Sequence, residues 1–303
     1  MTDKKRAMAL GFFDGVHVGH AALMNMTKQR AEEIGATPSV LTFDVHPDTL
    51  VFNREVPLIN SAVGRENIIR RKFGIDNVVF IHFNQKVMHM DWREFIDELV
   101  KELNIAWLVV GHDFCFGYKG LGTAQRLKEY CEENGIGCDI IEPVCKDGVV
   151  VSSTIIRELI ASGDIEKANE YLGHPHMLSD VIRSGYHLGT KMGTPTINMK
   201  IPEGVLVPRY GVYAAKVILE DGTEHISVTN VGIRPTVSDS NSVSVESYIL
   251  DFSGNLYDRQ ARVEFYSFLR DERKFANTVE LSEQIMADAE NARKYFSENH
   301  NFS

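Results

Sequence analysis

Two histidines, His17 and His20, stand three residues apart within the string Gly11–His20, GFFDGVHVGH. An apolar run from Ala7 to Leu10 precedes them and a helical pattern begins near Val18, so both fall at a strand-to-helix turn. Residues three apart share a face of the first helical turn. The first backbone N–H groups of a helix have no intrahelical partner, and the helix dipole favours an anion there. Two imidazoles beside that positive end can donate hydrogen bonds to a phosphate, which suits stabilising negative charge that develops at phosphorus. Two plainer readings stand beside this one. An isolated H-x-x-H pair is commonly two surface histidines, and histidines so spaced can share a metal, although no third ligand at zinc spacing lies nearby.

Three further segments carry groups of the same kind. Leu41–Pro47, LTFDVHP, ends an apolar run in a turn with Asp44, His46 and Pro47. Gly111–Gly117, GHDFCFG, offers Asp113 with two aromatics. Val151–Arg157, VSSTIIR, sets Ser152, Ser153 and Thr154 at a helix start with Arg157 one turn on. A single hydroxyl there is explained as an N-cap. Three hydroxyls and an arginine fit a triphosphate better, because arginine presents a planar fork to phosphate oxygens. In the second half, Gly189–Asn198, GTKMGTPTIN, is a loop bounded by Gly189 and Gly193 that runs into a strand start. Thr196 and Asn198 share a strand face, and their oxygens are hard donors suited to magnesium held with ATP phosphates. Glu246 interrupts an otherwise apolar alternating strand.

The elements that must position these groups fall into two sets. Strands are expected at Ala7–Gly11, Ser39–Phe43, Val78–His82, Trp107–Gly111, Cys138–Ile141 and Val149–Val151. Helices are expected at Val18–Ile34, Arg65–Phe73, Asp91–Asn104 and Thr123–Asn134, with Ser153–Ala161 and Asp164–Leu172 closing the set. Alternating strands and helices with nearly continuous apolar strands predict an α/β fold with a parallel sheet covered on both faces. Ligands bind such sheets at the carboxyl ends of the strands, where His17 and His20 fall. The run Gly173–His176 breaks the pattern and divides the chain into domains 1–172 and 177–303, its two histidines reading as linker residues. Beyond it, Gly211–Leu219, an Asp221-Gly222 turn and His225–Val231 read as a hairpin. Ser242–Phe252 and Arg262–Leu269 add alternating strands, predicting a small antiparallel β-barrel, with Asn277–Asn299 a helix on its outside.

Composition narrows the partners. The 303 residues are 44 % apolar and 24 % charged, as in a globular protein, with room for two cores. A net charge of −10 argues against a broad nucleic-acid surface, so phosphates must be held locally. Cys115, Cys131, Cys138 and Cys145 form no C-x-x-C pair and are expected as reduced thiols. Lys4, Lys5 and Arg6 precede an apolar run too short for a signal peptide, and no run reaches transmembrane length, so a cytoplasmic protein without a membrane partner is expected.

In this order, the motifs resemble those of the prokaryotic bifunctional riboflavin kinase/FMN adenylyltransferases, the FAD synthetases, over nearly the whole chain. Asn230–Thr236 (NVGIRPT), Val245–Phe252 and the Phe268–Arg270 and Lys274-Phe275 pieces extend the match. The resemblance implies a Rossmann-like nucleotidylyltransferase domain followed by a riboflavin kinase barrel with a C-terminal helix. It implies that His17 and His20 contact ATP phosphates, with Gly11, Phe12, Phe13, Asp14 and Gly15 at the nucleotide. Asp113 would hold the nucleotide, and Ser152, Ser153, Thr154 and Arg157 would form a phosphate loop. His46 and Pro47 would lie near the flavin. In the second domain Gly189 and Gly193 would hold ATP, Thr196 and Asn198 Mg2+, Arg270 would lie near the flavin, and Glu246 would deprotonate the ribityl 5′-hydroxyl. The implied activity is phosphorylation of riboflavin to FMN and adenylylation of FMN to FAD, in a monomer or weak homo-oligomer. The chain departs from the family pattern at Val45, Cys115, Thr190 and Thr194. An adenylyltransferase lacking kinase activity and a flavin- or nucleotide-binding regulator are the alternative readings.

Overall fold

A computed structural model describes residues 4–183, 196–234 and 242–299. The chain divides into two compact units, 1–153 and 154–303.

In the first unit, β1 (Arg6–Leu10), α1 (Val18–Glu33), β2 (Thr37–Phe43), α2 (Pro47–Val51), α3 (Ala62–Phe73) and β3 (Asn77–Ile81) follow one another. Then come α4 (Gln85–His89), α5 (Trp92–Leu103), β4 (Ile105–Gly111), the short hairpin β5 (Cys115–Phe116) and β6 (Gly122–Thr123), α6 (Ala124–Asn134) and β7 (Gly137–Ile141). A second short hairpin, β8 (Cys145–Lys146) and β9 (Val149–Val150), leads into α7 (Ser153–Ser162), which runs on into the second unit. The strands pair in parallel in the order β3-β2-β1-β4-β7. Sequence order therefore runs outward from β1 in one direction and restarts at β4 on its other side. This is the topological switch point, where open α/β sheets bind ligands. It lies where Gly11–His17 leaves β1 and Gly111–Asp113 leaves β4. β1 is central and apolar, with Ala7, Met8 and Ala9 fully buried. On α5, Phe95, Ile96 and Leu99 are buried against the sheet while Trp92 and Leu103 pack at its margin.

In the second unit, α8 (Ile165–Leu172) is followed by β10 (His176–Val181), β11 (Thr196–Lys200), β12 (Gly211–Leu219), β13 (Glu224–Arg234), β14 (Ser242–Ile249) and β15 (Gln260–Arg270). A helix at Thr278–Glu298, α9, follows. The strands form one antiparallel sheet in the order β10-β15-β12-β13-β14-β11. Its two edges meet where the Arg183 amide donates to the Asn198 carbonyl at 2.8 Å, so the sheet curls toward a barrel. Val212, Ala214 and Val228 on one face pack against Ala289 and Ala292 of α9.

His176 is no linker residue. It is the first residue of β10, fully buried and paired with Phe265. Asn169 of α8 fixes this corner, donating to the Phe265 carbonyl at 2.8 Å and accepting from the His176 amide at 2.7 Å. Among the described residues neither ring nitrogen of His176 finds a partner. Burial, reinforced by His174, depresses its pKa to about 3. The unfolded chain then takes up the proton first as pH falls. The stability held by this neutral ring is complete above pH 6.5 and drains as pH falls toward 3, by about 1.4 kcal/mol per pH unit. Denaturant titration of the full chain at pH 7 and pH 5 tests this. Wild type should lose about 2 kcal/mol more than His176→Leu in the second unit's transition, and equal losses would contradict it.

Candidate active sites

The turn after β1 is built against its own backbone preferences. Phe13, Gly15 and Val16 have φ of 58°, 79° and 43°, and a β-branched residue in the left-handed region is strained. Gly11 has no room for a side chain, since a Cβ there would lie 2.8 Å from the folded-back Phe13 ring. Hydrogen bonds hold the turn in place. The buried Asp14 carboxylate accepts from the amides of Ile59 (2.9 Å) and Asn60 (3.4 Å). Thr42 Oγ1 donates to the Phe12 carbonyl at 2.7 Å, and Ser153 Oγ donates to the Asp14 carbonyl at 2.8 Å.

His17 emerges from this turn as the N-cap of α1. Its Nδ1 accepts from the amides of Gly19 (3.1 Å) and His20 (3.4 Å). Two of the helix's first amides, expected to be unpaired, are thus satisfied by a histidine ring. Because Nδ1 is an acceptor, the neutral ring carries its proton on Nε2, which becomes a donor. The His17 and His20 rings stack with centroids 3.6 Å apart, and Phe13 meets His20 edge-on at 5.2 Å. Among the described residues the buried Nδ1 of His20 has no partner. Burial, then His17 and Arg65, hold the His20 pKa well below the ordinary value. The pair is a preorganised group of donors at which an entering polyphosphate raises basicity.

Neighbouring strand ends add their groups to the same edge. Asp113, just beyond β4, is exposed. His46 caps α2, its Nδ1 accepting from the Asp48 amide at 3.2 Å, and its ring meets Phe12 at 4.5 Å. Although burial opposes it, hydrogen bonds from His82 and the Phe83 amide hold the Asp44 carboxyl below its ordinary value. A cavity of about 610 Å³ opens beside Pro47, lined by Phe43, Phe83, Phe95, Cys115 and Phe116. Of these aromatics, sequence reasoning singled out Phe116, within Gly111–Gly117, and not Phe83 or Phe95, because a cavity lining and a core have the same apolar pattern. Ser153 meets the β1 turn as described. Thr154 and Arg157 lie further along α7, within the second unit.

The second unit gathers its groups by strand register. Glu246 on β14 lies directly across from Asn198 on β11 and from Asn230 on β13. Thr196 lies across from Tyr248. Paired residues project to one face, so Thr196, Asn198, Glu246 and Asn230 share the face on which α9 packs. Asn230 Nδ2 donates to Glu272 at 3.1 Å. Glu272 sits over Gly232, where a Cβ would collide with its carboxylate at 1.9 Å; no sequence signal pointed to it. The Arg270 guanidinium is engaged by the buried Asp288 of α9 at 2.7 Å and by the Asp271 carbonyl. Gly189, Gly193, Thr190 and Thr194 lie outside the described residues.

Each unit has a counterpart among known families. Residues 1–155 match the FAD synthetase model and residues 172–296 the riboflavin kinase model. The chain is 33 % identical to the bifunctional riboflavin kinase/FMN adenylyltransferase of Listeria monocytogenes, over 98 % of this chain and 94 % of that protein. Identity to the protein of that name from Bacillus subtilis is 34 %, over 97 % and 93 %. For that from Pseudomonas fluorescens it is 35 %, over 94 % and 91 %. A crystal structure described as a macrolide-efflux protein from Streptococcus pneumoniae has the same fold, with a TM-score of 0.85 at 26 % identity over 97 % of this chain and 95 % of that one. The chain belongs to the bifunctional riboflavin kinase/FMN adenylyltransferase family.

If the Asp14 carboxylate braces the β1 turn, Asp14→Asn should weaken it, because one carboxylate oxygen becomes an NH2 that cannot accept from Ile59 or Asn60. Leaving buried donors unpaired costs about 1–3 kcal/mol. Thermal unfolding should register that loss in the first unit's transition. An unchanged transition would show that the turn is held by other means.

Proposed function

We propose that the two units catalyse successive ATP-dependent steps, the second phosphorylating riboflavin to FMN and the first adenylylating FMN to FAD. The observation that carries this reading is the stacked His17–His20 pair, held at the switch point of a parallel sheet. In the adenylyl step an FMN phosphate oxygen attacks the α-phosphorus of ATP and the bond to pyrophosphate breaks. His17 Nε2–H and the His20 ring donate to phosphate oxygens as charge builds, a form of stabilisation that usually dominates such catalysis. Gly11, Phe12 and Gly15 bring backbone close to the nucleotide. Phe13 and Asp14, both buried, brace that backbone. Asp113 engages the nucleotide from the end of β4. Ser152 and Ser153 take up the polyphosphate, and the family resemblance gives Thr154 and the planar fork of Arg157 a phosphate-binding role as well. The flavin ring enters the cavity beside Pro47 and Phe83, with His46 at its edge. A planar aromatic ring fits an apolar pocket of this volume.

In the kinase step Glu246 removes the proton from the ribityl 5′-hydroxyl as that oxygen attacks the γ-phosphorus of ATP, releasing ADP. Thr196 and Asn198, across the ladder from the strand of Glu246, hold Mg2+ together with ATP phosphates. Their hydroxyl and amide oxygens fit that ion, which typically takes few protein ligands beside phosphates and water. When bound, the ion neutralises charge on the transferring phosphoryl group. Gly189 and Gly193 cradle the nucleotide. Arg270, clamped by Asp288, fixes the strand end beside the flavin. The same reading places the enzyme in the cytoplasm, as a monomer or weak homo-oligomer, with flavins and ATP as partners and no nucleic acid. The acidic net charge supports the last point.

The two sites separate by mutation. Glu246→Gln keeps size but cannot accept a proton, and should lower FMN formation by about 10²–10⁴ while FAD formation from supplied FMN persists. His20→Ala should do the reverse, lowering FAD formation by about 10²–10³. Normal phosphorylation by Glu246→Gln would remove that residue from catalysis. Near wild-type FAD formation by His20→Ala would remove the histidine.

A further inference from the structure

Arg65, on α3, is fully buried, an unusual position for a guanidinium. Nothing in its surroundings resembles a simple ion pair. Its Nη1 donates to the Phe12 carbonyl and to Thr42 Oγ1 (3.2 Å), and its Nη2 donates to the Phe43 carbonyl at 2.8 Å. Phe12 follows β1, and Thr42 and Phe43 end β2. One side chain therefore ties together the carboxyl ends of two adjacent strands at the edge where the histidines stand. The guanidinium also lies 4.2 Å from the centre of the Phe12 ring, which in turn meets the ring of His46 at 4.5 Å. Removing this charge from water is costly unless it is paired and hydrogen-bonded. Burial lowers its pKa to about 10, with Asp14 and Asp44 opposing, so it stays charged at neutral pH. Among the described residues its Nε has no partner. A buried cation retained in this way costs stability that an apolar residue would not, which points to a role in the site.

We propose that Arg65 is a positioning residue for adenylyl transfer, holding Phe12 and with it the strained turn that presents His17 and His20. The assignment rests on the adenylyl-transfer reading of that site. Phe12 precedes the left-handed Phe13, so its carbonyl sets the direction in which the chain turns toward His17. Thr42 Oγ1 and Arg65 grip the same carbonyl from two elements. Arg65 has a second effect through its charge. The groups acting on His20 are the His17 ring stacked on it, the Phe13 edge and the Arg65 cation, while Asp14 and Asp44 act on that cation. A cation so placed disfavours a second positive charge on His20, keeping the ring neutral in the free enzyme.

Lys at this position keeps the charge but loses the fork, whereas Met loses both. FAD formation from FMN and FMN formation from riboflavin are measured in one preparation of the full chain, across pH 5–8. Arg65→Lys should lower kcat for FAD formation about 10- to 100-fold, the scale of a misplaced donor, with the acid limb of its pH profile unmoved. Arg65→Met should lower kcat at least as far and shift the acid limb to higher pH, because His20 gains a proton more readily. Riboflavin phosphorylation should stay at the wild-type rate in both. If Arg65→Met does not fold, Phe12→Leu, which removes the ring that meets both the guanidinium and His46, takes its place and should lower kcat for FAD formation with no shift of the acid limb. Wild-type kcat and pH profile in Arg65→Lys, or equal losses in both activities, would overturn the positioning role. A wild-type protein that makes no FAD from FMN would instead overturn the adenylyl-transfer reading itself.

Discussion

The first site depends on burying opposite charges beneath the turn between β1 and α1. Asp14 and Arg65 are both almost completely buried, and each makes hydrogen bonds to backbone groups of neighbouring segments. They do not meet as a salt bridge. Asp14 fixes the segment at Ile59 and Asn60 while Arg65 fixes the strand ends, and their charges moderate each other at longer range. This holds three left-handed residues in four positions, a conformation costing of order 1–3 kcal/mol at each non-glycine residue. The result is a histidine that caps a helix and stacks on its neighbour. Strain here is maintained by surrounding structure, which is how preorganised donors are obtained.

The second unit solves a similar problem with register in place of strain. An antiparallel sheet alternates its faces, and a slip of one residue would invert every side chain. Thr229 and Ser247 form a buried hydroxyl contact at 2.8 Å on one face, while Asn230, Glu246 and Asn198 align on the other. Helix α9 packs on the second face and leaves Glu246 partly exposed beside it. The clamp between Arg270 and Asp288 attaches that helix to the strand end. That three residues share one face thus follows from strand pairing, including that of β11 with β14, which are distant in sequence.

Much of this was legible in the residues alone. The strand–helix alternation of the first half gave the parallel sheet, since β1, β2 and β4 read as short apolar runs and α5 as a regular amphipathic stripe. The His17–His20 contact was legible because spacing on one turn dictates proximity. Other features carried no local signal. That His17 would cap its own helix depends on its ring orientation, which no periodicity encodes. His176 read as the end of the breaker run Gly173–His176, yet its neighbour across the sheet is Phe265, some ninety residues on. Arg65 belongs to a polar helix with Arg70, Arg71 and Lys72, and in sequence it is indistinguishable from those surface cations. Only the sheet's tertiary geometry separates it from them.

The most direct test is the product made by the unmodified chain. Riboflavin or FMN is supplied with ATP and Mg2+, and the flavins are separated by chromatography over time. Conversion of riboflavin through FMN to FAD, and of FMN to FAD with release of pyrophosphate, is the result expected. Recovery of both flavins unchanged would contradict the account, and conversion of FMN alone would leave only its first half standing.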